Sequence, residues 1–187
     1  TLEQCETKRL ELIKKISHKD VFEKLTEEFG DLNTQKVVSQ AIQVFYEPKI
    51  PSILPLLPGA RKNLDYLKNK YKLYLVTAGF EQAQINKAKA LQVFDLFEKM
   101  FVVNSLIKQR KKNIFLEIIE KNNLQPQELL CVGNSLSSEI HDALQIGATA
   151  CYFEFGENRG SLEDKLSSLK PHFHITSHDE LIPTCQL

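Results

Sequence analysis

The chain has 187 residues, 42% of them apolar, and its 24 lysines and arginines balance 24 aspartates and glutamates. The apolar share is enough for a packed core, which excludes default disorder, and the length fits one domain with a sizeable insertion or a medium domain plus a small one. Balanced charge argues against a dedicated nucleic-acid or membrane-surface binder, and no apolar run reaches membrane-span length, so the expectation is a soluble chain without a signal peptide.

The first fifty residues predict helices. Leu2, Cys5, Leu10, Leu12, Ile13 and Ile16 form a loose stripe among charges. Val21, Phe22, Leu25 and Phe29 repeat at helical spacing and Gly30 closes that segment; Val37, Val38, Ala41, Ile42, Val44 and Phe45 make a third apolar face. Pro48, Pro51, Pro55 and Pro58 exclude a continuous helix in the next stretch, the best candidate boundary.

Beyond Pro58 the pattern alternates. Helix is predicted at residues 59–70, strand at 72–76, helix at 81–91, strand at 100–103 and helix at 112–121. Strand follows at 129–132, helix at 137–146 and strand at 148–153. A weaker helix at 162–169, a strand at 173–176 and a short helix near 179–182 end the chain. Strands spaced by helices of about ten residues imply right-handed crossovers and a parallel sheet. Short strands with few polar residues suit a sheet covered on both faces.

Four cysteines (Cys5, Cys131, Cys151, Cys185) lie far apart with no zinc or Cys-x-x-Cys spacing. Buried reduced thiols in a cytoplasmic protein are the expectation. The chain opens on Thr1 rather than methionine, which predicts that it is cut from something longer.

Three predicted strand ends carry polar groups. In Thr77-Ala78-Gly79, a hydroxyl and neighbouring backbone N–H groups could hold phosphate oxygens, or Thr77 could simply cap a helix. In Lys108-Gln-Arg-Lys-Lys112, one lysine could neutralise a phosphoryl group, or the run could be a solvated basic loop. Lys111 is the choice, with Lys108 and Lys112 close behind. In Gly133-Asn134-Ser135 with Glu139, an amide oxygen and a carboxylate could serve Mg²⁺ beside a substrate phosphate, or Asn134 or Ser135 could start a helix with Glu139 in its first turn.

Together with 57–67, 73–79, 84–91 and 94–97, the run Val-Gly-Asn-Ser-Leu-Ser-Ser-Glu-Ile-His-Asp-Ala-Leu-Gln-Ile-Gly-Ala (132–148) resembles the haloacid-dehalogenase superfamily of phosphohydrolases, in its phosphoglycolate-phosphatase-like branch. The resemblance implies a three-layer, Rossmann-like, mostly parallel α/β core over residues 55–187 and a small helical cap over 1–54. It implies a Mg²⁺-dependent phosphatase for a small phosphorylated metabolite. Thr77 and Ala78 would then bind phosphate, Lys111 would be the catalytic cation, and Asn134 and Glu139 would be the metal-side pair. Two departures stand out. Asn134 takes the place of the commoner aspartate, which should weaken Mg²⁺ binding. The first motif, whose leading aspartate is the nucleophile, is missing, and with it the sheet's central strand. Asp31-Leu-Asn-Thr34 imitates that motif, but helical spacing precedes it. Without that carboxylate the chain could not split a phosphate ester through a phospho-aspartyl intermediate. The alternative function is a non-catalytic module on the same scaffold that binds a partner or forms the tail domain of a larger protein; a haloacid dehalogenase is weaker still.

Among other candidates, His141 and Asp142 read as solvated first-turn helix residues. His172 and His174 read as alternating polar positions on an edge strand, with His178 starting the next turn.

Overall fold

The computed structural model describes residues 1–13, 16, 18–104, 109–156 and 170–187. The chain divides into two compact units, Thr1–Lys49 and Ile50–Leu187.

The first unit is helical: α1 (Leu2–Leu12), α2 (His18–Phe29) and α3 (Leu32–Tyr46). Thr1 caps α1, its hydroxyl accepting from the Gln4 N–H at 3.3 Å. Gly30 closes α2 by donating its N–H to the Thr26 carbonyl at 3.0 Å. Asp31 is the N-cap of α3, and its Oδ1 accepts from the Asn33 N–H at 3.0 Å and the Thr34 N–H at 2.7 Å. The Asp31–Thr34 run is therefore a helix start, and its carboxylate is spent on backbone donors. Val21 is buried, and Phe22 of α2 meets Phe45 of α3 edge-on at 5.6 Å between ring centroids.

Among the described residues the second unit contains five strands, all paired in parallel. They are β1 (Tyr74–Ala78), β2 (Lys99–Val103), β3 (Leu130–Gly133), β4 (Thr149–Phe153) and β5 (Phe173–Ile175). β1 pairs with β2, and β3-β4-β5 form a second sheet with β4 central. The helices are α4 (Ala60–Leu67), α5 (Glu81–Ala90), α6 (Lys111–Lys121), α7 (His141–Gln145) and α8 (Leu181–Cys185).

Alternation along β4 produces the layers. Ala150 and Tyr152 face a cluster with Phe115 of α6, Ile140 and Ala143 at the start of and within α7, and Cys131 of β3. Cys151, on the opposite face, joins Leu67 of α4, Ile175 of β5, and Leu181 and Cys185 of α8. Side chains two apart share a face of a strand, so helices cover both sides of β4. The fold is the expected three-layer, Rossmann-like α/β arrangement. Val76 of β1 packs against the first cluster, so the two sheets share a core.

Three expectations change. The first strand runs two residues later than its apolar run, because Thr77 and Ala78 still pair with Val102 and Val103 of β2. The helix expected at 137–146 is a π turn, Leu136–Ile140, followed by the short α7. Ile140 donates its N–H to the Ser135 carbonyl five residues back at 3.3 Å, which accommodates one extra residue in the turn. Asp142 is fully buried rather than solvated. The weak helix expected at 162–169 and Lys108 both lie outside the described residues.

Candidate active site

Glu139 is the centre of the polar cluster at the end of β3. Its Oε2 accepts from Lys111 Nζ at 2.8 Å and its Oε1 from the Ser135 N–H at 2.8 Å. The two side chains of this ion pair are only 10% and 13% exposed, Glu139 the more buried. Burial by itself would raise the Glu139 pKa. The Lys111 charge and hydrogen bond, joined by backbone N–H donors, outweigh it and hold the carboxyl below its ordinary value. Glycine at 133 makes the geometry possible. A Cβ there would lie 2.2 Å from Glu139 Cγ and 2.6 Å from its Oε1, so Glu139 lies over bare backbone.

Lys111 reaches Glu139 from the first turn of α6. That end of the helix is held by Asp142 of α7. Asp142 Oδ1 accepts from Arg110 Nε at 3.1 Å and from Arg110 Nη2, and its Oδ2 accepts from the Lys112 N–H at 3.2 Å. Arg110 is the N-cap residue of α6 and offers no side-chain cap of its own. Asp142 supplies the missing acceptor from another element, with its charge at the favourable end of the helix dipole.

Asn134 follows β3 directly and is exposed. Its Nδ2 donates to the Phe155 carbonyl at 3.0 Å, which ties the loop after β3 to the residues after β4. Thr77 sits inside β1, half-buried, paired with Val102, and its hydroxyl donates to Gln84 Oε1 at 3.3 Å. It does not cap α5, whose N-cap is Phe80, a residue with no capping oxygen in its side chain. Ala78 ends β1 exposed, and Gly79 at φ +140° turns the chain into α5 in a conformation L side chains rarely adopt.

The structure therefore joins Lys111 to Glu139 directly. Asn134 stands on the loop leaving the same strand, and Thr77 with Ala78 sit at the end of a different strand. Among the described residues no hydrogen bond links Thr77 to Lys111, Asn134 or Glu139. Of the other lysines considered, Lys112 contributes its backbone N–H to Asp142. Sequence reasoning missed the clamping role of Arg110 and Asp142. The available signal was spacing: Glu139 and Asp142, three apart, fall on one helical face, and Arg110 adjoins the chosen lysine.

The donors present fit Mg²⁺ only as part of a set. Mg²⁺ takes six oxygens and keeps several waters. Asn134 Oδ1 could be one ligand, and Glu139 could hold a metal-bound water with lone pairs not used by Ser135 and Lys111. Among the described residues no group of three His, Cys, Asp or Glu side chains converges on one point. His172, His174 and His178 are engaged separately: His172 Nδ1 accepts from the Ala150 N–H at 3.1 Å, His174 lies 2.9 Å from Glu154, and the His178 ring packs on Phe153.

Known proteins are similar to this chain in sequence and in fold. A family model described as haloacid dehalogenase-like hydrolase matches residues 1–152. A glyceraldehyde 3-phosphate phosphatase of Pyrococcus abyssi is 31% identical over 124 residues, covering 65% of this chain and 52% of that protein. The chain thus spans about half the length of the first curated relatives it matches. Among solved structures, the HAD-hydrolase YfnB of Bacillus subtilis bound to magnesium superposes with a TM-score of 0.72 at 22% identity, over 97% of this chain and 80% of that one. A predicted phosphoglycolate phosphatase of Haemophilus somnus gives 0.69 at 20% identity, over 87% and 73%. At such identities the structural likeness speaks to the fold alone, whereas the family model spans most of the chain. The chain belongs to the haloacid dehalogenase-like hydrolase family.

Proposed function

We propose that this chain carries the phosphate-binding and metal-side part of a Mg²⁺-dependent phosphatase acting on a small phosphomonoester in the cytoplasm. The observation that carries the reading is the nearly buried Lys111–Glu139 pair at the end of β3. An ammonium has three donors. One is spent on Glu139, which fixes the side chain and leaves two for phosphoryl oxygens. Thr77 and the backbone at Ala78 would hold other phosphoryl oxygens, and Asn134 with Glu139 would position the metal or its waters. Mg²⁺, when bound, would neutralise phosphate charge. Residues 1–54 would be the helical cap region of that enzyme.

The nucleophile in this reading is an aspartate on a strand upstream of Thr1. Two strand edges support it. Among the described residues β1 pairs only with β2 and β3 only with β4, and Val132 of β3 is 41% exposed. A strand between them would pair both edges and cover Val132. Triose phosphates are the first substrates to try, since relatives at about 30% identity carry the name glyceraldehyde 3-phosphate phosphatase.

The natural protein, purified from its source and weighed intact, tests this. The expected mass exceeds that of the 187 residues by about 2 kDa or more, room for a strand of five to six residues and its motif. The added peptide should contain Asp-x-Asp. The protein should release phosphate from glyceraldehyde 3-phosphate with Mg²⁺, and Lys111→Ala should slow that release about 100-fold or more. No upstream aspartate, or hydrolysis indifferent to Lys111→Ala, would refute the reading and leave a non-catalytic, partner-binding module.

A further inference from the structure

We propose that Asp142 is the positioning residue that aims Lys111, by clamping the residues on either side of it. The inference rests on the reading of Lys111 as the phosphate-side cation only for its functional meaning; the clamp itself stands on geometry. Asp142 is 1% exposed, and both of its carboxylate oxygens are used on the start of α6. Oδ1 takes the guanidinium of Arg110 through Nε and Nη2, a two-nitrogen grip that fixes direction as well as distance. Oδ2 takes the backbone N–H of Lys112. Lys111 lies between these two anchored residues, so its Cα has little freedom to rotate about the helix axis or slide along it. Three residues before Asp142 on the same segment, Glu139 receives the Lys111 ammonium.

The four residues close a ring: Glu139 to Lys111, Lys111 along the backbone to Arg110 and Lys112, those two to Asp142, and Asp142 back through one turn to Glu139. Such a ring sets where the ammonium stands without any contact between Asp142 and a substrate. His141 also faces Arg110, its Nδ1 lying 3.3 Å from Nη2. It directly precedes Asp142 on α7. A neutral cap would satisfy the Lys112 N–H equally well. A buried carboxylate costs desolvation that a serine or asparagine would not, and what it adds is the charge-assisted hold on Arg110.

The test is a double-mutant cycle between Lys111 and Glu139, measured by urea unfolding of the full chain in two backgrounds. Wild type, Lys111→Met, Glu139→Gln and the double variant give the coupling of the pair, and the same four are made with Asp142→Asn. The expected coupling is about tenfold in the unfolding constant with Asp142 present, falling below about threefold in the Asp142→Asn background. A merely structural Asp142 would shift all four corners alike and leave the coupling unchanged, which would overturn the proposal. If Asp142→Asn fails to fold, Arg110→Lys takes its place. It keeps the charge at a half-exposed position but loses the two-nitrogen grip, and it should lower the coupling in the same direction; an undiminished coupling would again overturn the clamp. Inorganic phosphate titrated into wild type and Lys111→Met separates the two claims. If the coupling falls with Asp142→Asn while phosphate affinity is indifferent to Lys111, the clamp is supported and the phosphate reading of Lys111 is refuted.

Discussion

Glu139 combines two opposing effects, burial that disfavours its charge and an ammonium with N–H donors that favour it, and the second prevails. The pH consequence has a definite sign. A carboxyl whose folded pKa lies below its unfolded value of 4.5 contributes stability that is fully present above that value and is lost as pH falls through the folded pKa. Unfolding followed from about pH 7 to about pH 3 should therefore show a loss of stability in wild type that Glu139→Gln reduces; equal acid sensitivity in both proteins would show that the pair does not hold the carboxyl low. Lys111→Met, which leaves a nearly buried carboxylate uncompensated, should cost about 3 kcal/mol at neutral pH, read from urea unfolding of the two proteins. The sequence offers Lys111 as a cation for a phosphoryl group, not as the partner of Glu139. Its choice over Lys112 could not be derived from the sequence. Neighbouring positions on a helix point about 100° apart, and only the docking of α6 against α7 decides which one faces Glu139.

Among the elements, α4 shows how a polar residue can hold two segments together. Asn63 sits on the buried face with Ala60 and Leu67, and its Nδ2 donates to the His178 carbonyl at 2.5 Å. That bond ties α4 to the 3₁₀ turn His178–Glu180 that leads into α8. Replacing Asn63 with leucine should leave the carbonyl unsatisfied and cost about 1–3 kcal/mol, readable as a lower urea midpoint at unchanged slope; an unaltered midpoint would mean that water replaces the bond. Most elements were legible beforehand because their apolar period was unambiguous, as in α2, α6 and β4. The π turn Leu136–Ile140 was not. In it Glu139 meets both the Ser135 N–H and Lys111, and a tertiary bond leaves no periodicity to read.

For the whole second unit, the division of the strands into two sheets is the main consequence. β4 has partners on both sides and residues Ala150 and Cys151 with no exposure, whereas among the described residues β1 and β3 each keep one edge without a strand. Amide hydrogen exchange of this chain should then be slowest in β4, with β1 and β3 faster by about tenfold or more on average. Equal protection across the three strands would show that another segment covers those edges.

The sequence by itself determined the alternation of strands and helices, the parallel α/β class and the helical character of the first fifty residues, because apolar spacing follows backbone period directly. It also placed Lys111 and Asn134 at element boundaries, where turn chemistry collects polar residues, whereas Thr77, expected just past its strand, lies inside it. Tertiary structure alone decided that Asp142 is buried on the start of α6 and that Asn134 is tied to Phe155. The Asp142 and Asn134 contacts depend on which acceptor meets which donor across segments up to about thirty residues apart. Local composition cannot encode that pairing, since burial reverses the meaning of a charge: the same aspartate is a solvated surface group in one packing and a clamp in another.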